Sequence, residues 1–367
     1  MKKTLLMGAC ALSTLAFGTP SQANELAVSG NHHHGEYRAD GHAPKGVMGD
    51  HMHEKGEWMM SYRYMRMHME DNRNGTNDLS PEQIVTSIPN RFFGTPMQPA
   101  TLRVVPTEMT TDMHMLGAMY APTDSVTLMV MANYIKREMD HITFAGGAGT
   151  TRLGEFTTET SGWGDTRVGG LIRMYDDSKH HIHLNAGLSL PTGSIKEEDQ
   201  VLTPMGTRPT MRLPYAMQLG SGTYDLMPGV TYTGRSNAYS WGAQYMATLR
   251  LGENSQDYTL GNKHEVSAWG AYSWVPSLST SLRVSAETEG DIDGIDRRIV
   301  APVQTANPDN FGGERIALSL GMNYVVPKGV LAGHRLSVEG TVPVYQDLNG
   351  PQMKRDNMVV LGWSKAF

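Results

Sequence analysis

Two kinds of side chain that bind soft metals are crowded into the first third of this chain. Seven of the fourteen histidines precede residue 70, namely His32, His33, His34, His42, His51, His53 and His68. Twenty-six methionines in 367 residues are several-fold more than ordinary usage supplies. They gather at Met48, Met52, Met59, Met60, Met65, Met67 and Met69, then at Met109, Met113, Met115 and Met119, then at Met129, Met131 and Met139. The most compact group is His51-Met52-His53, with Asp50 and Glu54 at its ends. In an extended segment its two imidazoles project to one side. Thioether and imidazole together suit copper, Cu(I) by softness and Cu(II) through nitrogen. The metal candidates are therefore His51, Met52, His53, Met65, Met67, Met113, Met115, Met129 and Met131. None of them follows a fixed zinc-type spacing. The plainer reading of the same residues is methionine as a flexible space filler and histidine as a solvated tract.

Catalytic chemistry has less to stand on. Asp140-His141 and the pair Asp112 and His114 each put an acid near a base. No serine or threonine lies in a nucleophile's local setting, so neither a catalytic residue nor a cofactor other than copper is assigned and an enzyme is not expected. A barrel hydrolase of lipase or protease type is the second alternative.

The elements that must position these residues begin with an export signal. Lys2 and Lys3 precede an apolar run from Leu5 to Phe17, and Ser21-Gln22-Ala23 closes it as a small-x-small cleavage site, so residues 1–23 are expected to be removed. The one cysteine, Cys10, lies inside that run, and the remainder can form no disulfide. Losing two lysines takes the formal charge from −6 to −8, which argues against a nucleic-acid partner. Hydrophobic content is 39%, and no apolar stretch of helical-membrane length follows the signal. A chain of this kind spans lipid only as a closed barrel, in which every backbone group is paired.

Residues 24–56, rich in Gly, His and charge, are expected to form a flexible periplasmic segment, and 57–367 the barrel. Period-two alternation falls near 57–68, 108–120, 125–137, 164–175, 180–191, 222–234, 239–251, 263–275, 278–289, 313–326, 334–345 and 357–367. The links between these runs alternate strictly. Short ones (such as 121–124, 176–179, 235–238 and 276–277) follow even strands; mostly long ones (69–107, 138–163, 192–221, 252–262, 290–312 and 346–356) follow odd strands. That rhythm predicts an all-β, single, up-and-down antiparallel transmembrane barrel of about 12 strands, with periplasmic turns and extracellular loops. Val359, Leu361, Trp363 and Phe367 share one face of the last run, the pattern that outer-membrane assembly machinery reads, although Lys365 interrupts it. The phase predicts that Met59, Met65 and Met67, Met113, Met115 and Met119, and Met129 and Met131 turn inward as one wall of the lumen.

Ser161-Gly162-Trp163-Gly164-Asp165-Thr166, Leu190-Pro191-Thr192-Gly193-Ser194, the run Gly220 to Gly229 and Pro343-Val344-Tyr345-Gln346-Asp347-Leu348 resemble segments of outer-membrane transporter-like proteins grouped with the meta-pathway phenol-degradation barrels. The resemblance covers roughly residues 57–367 and implies a membrane barrel passing small, often hydrophobic molecules; it assigns no binding residue. Two transport readings stand side by side: a channel linked to copper or another soft metal, and an uptake barrel for hydrophobic or aromatic compounds. Outer-membrane lipid and a small-molecule or metal-ion cargo are the partners in either case.

Overall fold

The computed structural model describes residues 38–367, so the expected signal sequence and residues 24–37 lie outside the described part. Valine, isoleucine, leucine and aromatic residues alternate with polar or small ones along each strand, and the sheet they form closes on itself. The first ten strands are Trp58–Gly75, Val104–Thr123, Val126–Phe144, Thr166–Asp176, His180–Leu190, Tyr224–Ser236, Tyr239–Leu251, Lys263–Val275, Leu278–Glu289 and Gly313–Val325. The extended element Arg335–Ala366 supplies the last two. Its first half pairs with strand ten and its second half with strand one, bending near Gly350 (φ +71°). Every neighbouring pair is antiparallel, and twelve spans result. Phe367 and Trp58 exchange backbone hydrogen bonds at the seam.

The outward face carries a band of apolar side chains. Leu116, Leu128, Leu282, Leu320, Val342 and Leu361 stand exposed on strands two, three and nine to twelve, a surface that water would penalise and hydrocarbon accepts. No helix among the described residues is long and apolar enough to cross a membrane. Lys365 is accommodated by reaching sideways: its Nζ donates to the Ala332 carbonyl at 3.0 Å.

Three expectations change. The link 346–356 is ladder rather than loop, because the final hairpin continues past the membrane band. Within 138–163, Arg152–Trp163 pairs with strand three above the point where strand four leaves it, so strand four is in effect a longer strand broken at Gly164-Asp165. Most importantly, residues 38–56 do not hang free. They enter at the short-turn end, where Ala39 donates to the Pro276 carbonyl, run up the lumen, and return to the same end, where Gly56 donates to the Ala121 carbonyl. Hydrogen bonds to wall side chains hold this stretch, and these leave no hydrophobic period to read in the sequence.

The long links fold over the other end. Helix Pro81–Ser87, capped by Ser80 and Gln83, buries Ile84 and Val85 against Val105, Ile142 and Phe144. Tyr215, Tyr258, Ile292, Ile299 and Val303 form a second core among the loops after strands five, seven and nine.

Candidate functional site

The inner segment is fitted to the wall at glycine positions. Gly49 (φ +61°) turns its carbonyl toward strand five, where His183 Nε2 donates at 2.8 Å and Asn185 Nδ2 at 2.9 Å. Gln244 donates to the Met48 carbonyl at 2.8 Å, and Arg63 to those of Lys45 and Val47 at 2.7 and 3.2 Å. The Gly46 N–H donates to Glu339 at 2.6 Å, and the same carboxylate holds Arg283. Backbone carbonyls are the chief acceptors, and the two bonds to Gly49 are buried, so they are stronger than surface equivalents.

The doubling-back of the segment gathers the histidines. A ring nitrogen of His42, a carboxylate oxygen of Asp50 and a ring nitrogen of His51 all lie within 4.8 Å of one another. The His42 and His51 rings are 3.8 Å apart at their centroids, and His51 and His53 are 4.9 Å apart, edge to face. His51 Nδ1 lies 3.0 Å from Asp50 Oδ1, and His53 Nδ1 lies 3.4 Å from Glu57. Burial first, then His51, holds His53 down at about 3. Burial and the Arg335 charge keep His42 well below the usual histidine range. Both are neutral imidazoles at neutral pH.

The sequence candidates separate into two groups. Met129 and Met131 line a cavity of about 60 Å³ together with His42, Asp50 and His51. Met52 turns to the neighbouring cluster of Met59, Met119 and Leu171. Met113 lies further along the lumen, and Met65 pairs beside it. Met115 is buried opposite Arg63, and Met67 lies opposite Thr111. All these strand methionines share the inward phase. His42 and Asp50 complete the ligand group only because the chain reverses between residues 42 and 51, a contact with no sequence period.

Above the segment lies a chamber of about 480 Å³. Met48 and Gly49 form its floor; Met113, Met129, Met131 and Ile135 form one wall; Tyr215, Leu219 and Phe311 reach in from the loops. Polar and charged groups line the rest, among them Asn133, Gln244, Arg250, Lys263, Glu265 and Arg167, whose guanidinium makes no hydrogen bond among the described residues.

Three of the four motifs that carried the family resemblance meet at the chamber's rim. Asp165 accepts the Gly193 N–H at 2.9 Å, the Ser221 N–H at 2.8 Å and the Ser221 hydroxyl at 2.9 Å. Asp225 accepts from Thr223 Oγ1 at 2.6 Å and pairs with Arg250. This knot ties the break in strand four to the loop 192–221. Asp165→Ala leaves the Gly193 and Ser221 N–H groups without their acceptor, while the Ser221 hydroxyl keeps Asp225 at 3.1 Å, and is expected to cost about 3 kcal/mol. The denaturant midpoint should fall accordingly, and protease should cut 192–221; an unchanged midpoint would remove the knot from the account.

The acid–base pairs do not form dyads. His141 faces inward, stacked on Phe156 at 4.6 Å, while Asp140 is held by Thr157. His114 and Asp112 stand on the outward face, bonded to Tyr62 and Tyr64 respectively.

A family model described as "Putative MetA-pathway of phenol degradation" matches residues 140–353. Among curated proteins none matches. An outer membrane channel from Pseudomonas putida F1 superimposes with a TM-score of 0.57 at 14% identity, over 88% of this chain and 99% of its own. A Pseudomonas aeruginosa FadL homologue gives a TM-score of 0.42 at 10% identity over 85% and 90% of the two chains. The Pseudomonas putida toluene transporter TodX also gives 0.42 at 10%, again over 85% and 90%. The likeness to the first of these is one of fold, that of an outer-membrane channel-type β-barrel.

Proposed function

Because the chain belongs to this phenol-degradation family, matched over more than half its length, we propose that it carries small, weakly polar aromatic molecules across the outer membrane by way of the lumenal chamber. The observation that supports this is the chamber's methionine-rich wall: Met113, Met129, Met131 and Ile135, with Met227 and Met246, face a polar and charged side across about 480 Å³. Small-molecule sites fall in the range of roughly 300–1,000 Å³. Methionine sulfur attracts aromatic ring edges, by roughly 0.3–1.5 kcal/mol per contact. Asn133, Arg167 and Gln244 can hydrogen-bond a hydroxyl on such a molecule.

Met113→Glu places a charge on the chamber wall at a position that already faces the lumen. Uptake of labelled phenol by cells with an intact outer membrane should fall by about tenfold or more, since desolvating the new charge costs upward of 1.4 kcal/mol. Retarded migration of the unheated protein on a gel reports that the barrel has folded. A folded glutamate variant that takes up phenol at the wild-type rate would defeat this reading.

A further inference from the structure

We infer that the inner segment carries a resident site for a soft monovalent ion, copper(I), built from His42, His51 and His53 and served by the methionines of strands one to three. This goes beyond the transport reading and does not depend on it.

Two of the three imidazoles are prepared as ligands. His51 Nδ1 faces Asp50 at 3.0 Å and His53 Nδ1 faces Glu57 at 3.4 Å, so each Nδ1 carries the proton and each Nε2 presents its lone pair. Both Nε2 atoms are buried, and neither has a hydrogen-bond partner among the described residues. His53 is 95% buried, so no bulk water completes it. A buried acceptor left bare costs about 1–3 kcal/mol, and a fold retains two side by side at a cost that a ligand would recover. A carboxylate behind an imidazole is the usual support of a metal-bound histidine, which makes Asp50 and Glu57 positioning residues rather than ligands.

The spacing admits one ion. Donors each about 2 Å from a shared metal lie no more than about 4 Å apart. A ring nitrogen of His42 and one of His51 lie within 4.8 Å of each other, and the His51 and His53 rings are 4.9 Å apart at their centroids, so small ring movements bring the imidazoles onto one ion. The adjoining cavity of about 60 Å³ is lined by Met59, Met119, Met129 and Met131, so thioethers are at hand for a third or fourth position. Charge decides the oxidation state. Arg63 and Arg335 line the same cavity, and Asp50 is the one carboxylate in its lining. A divalent ion meets twice the repulsion of a monovalent one in that setting. Softness of the thioethers points the same way, to copper(I) over zinc(II).

The site joins two limbs of the segment nine residues apart, so an ion bound there would staple the loop that floors the chamber.

The test uses the purified full-length protein, stripped of metal and titrated anaerobically with copper(I) against the chromogenic chelator bicinchoninate. The histidines at 32–34 lie outside the described residues, so the readout is the difference between variants. His51→Asn and His53→Asn should each bind one equivalent less than wild type, while His68→Asn, outside the cluster, matches wild type. Asp50→Asn should retain the equivalent with affinity lowered roughly 10–100-fold, the behaviour of a support behind a ligand. Copper K-edge absorption of the wild type minus His51→Asn should show nitrogen and sulfur neighbours. Equal stoichiometry in wild type, His51→Asn and His53→Asn overturns the site. Zinc(II) competing on equal terms overturns the soft-ion assignment, and a difference spectrum with oxygen neighbours alone does the same.

Discussion

A cysteine placed at Met131 is expected to react with a bulky, water-soluble thiol reagent about a hundredfold faster once residues 38–56 are deleted. The experiment has a clean background, because Cys10 is the chain's one cysteine and lies in the expected signal sequence. Met131 is 9% exposed and lines both lumenal cavities, one of them floored by Met48 and Gly49. The reagent therefore reaches it from the short-turn side only when the inner segment undocks. Undocking breaks the Gly49 bonds to His183 and Asn185, the Met48 bond to Gln244, the Arg63 bonds to Lys45 and Val47, and the Gly46 bond to Glu339. Each contributes about 0.5–1.5 kcal/mol net, so a docking free energy of about 3 kcal/mol is a modest total. At 1.4 kcal/mol per factor of ten, that protects the thiol about a hundredfold. Planar-bilayer current should rise in parallel with the labelling rate. Equal labelling with and without the segment would mean that it is no barrier.

The barrel was legible because its physics repeats every two residues. Strands five, nine and ten alternate without a break, and their observed limits (His180–Leu190, Leu278–Glu289 and Gly313–Val325) fall within a residue or so of the pattern. The inward phase of the methionines followed from the same period, with Met59 opposite Met119 and Met119 opposite Met129. What failed to show was structure held by single contacts. Gly46 and Gly49 read as marks of flexibility, yet they let the chain lie against Glu339 and Asn185. Within the ligand group, His51 and His53 were visible as neighbours, whereas His42 joins them through a reversal of the chain. Asp165 was visible only as part of a strand-edge motif; its three acceptor bonds come from residues 28 to 56 positions away. Strand limits at the loop end also escaped, because ladders beyond the membrane carry polar residues on both faces, as in Arg152–Trp163 and the final hairpin.

The largest stability effect should come from Arg283 and Glu339, on strands nine and eleven. Glu339 is fully buried and Arg283 is 4% exposed. The guanidinium donates from Nε at 2.8 Å and from Nη2 at 2.5 Å to one carboxylate oxygen, and Gly46 N–H takes the other. Arg283→Met is expected to cost about 3–5 kcal/mol, because it strands a buried carboxylate whose remaining fixed partner is a backbone N–H. Adding Glu339→Gln should restore more than half of that loss: a neutral amide needs no counter-charge and can still accept from Gly46. The pair serves docking as well as stability, and Gly46→Ala separates the two roles. A methyl group there would fall 2.3 Å from the Arg283 guanidinium and 2.9 Å from Glu339. With the wall's ion pair chemically intact, the barrel's unfolding midpoint should barely move, while a cysteine at Met131 becomes reactive. If Gly46→Ala leaves the thiol protected, the segment is held elsewhere and Glu339 is a strut of the wall alone. If Arg283→Met and the double variant unfold at the same denaturant concentration, an unpaired charge is not what destabilises the single variant.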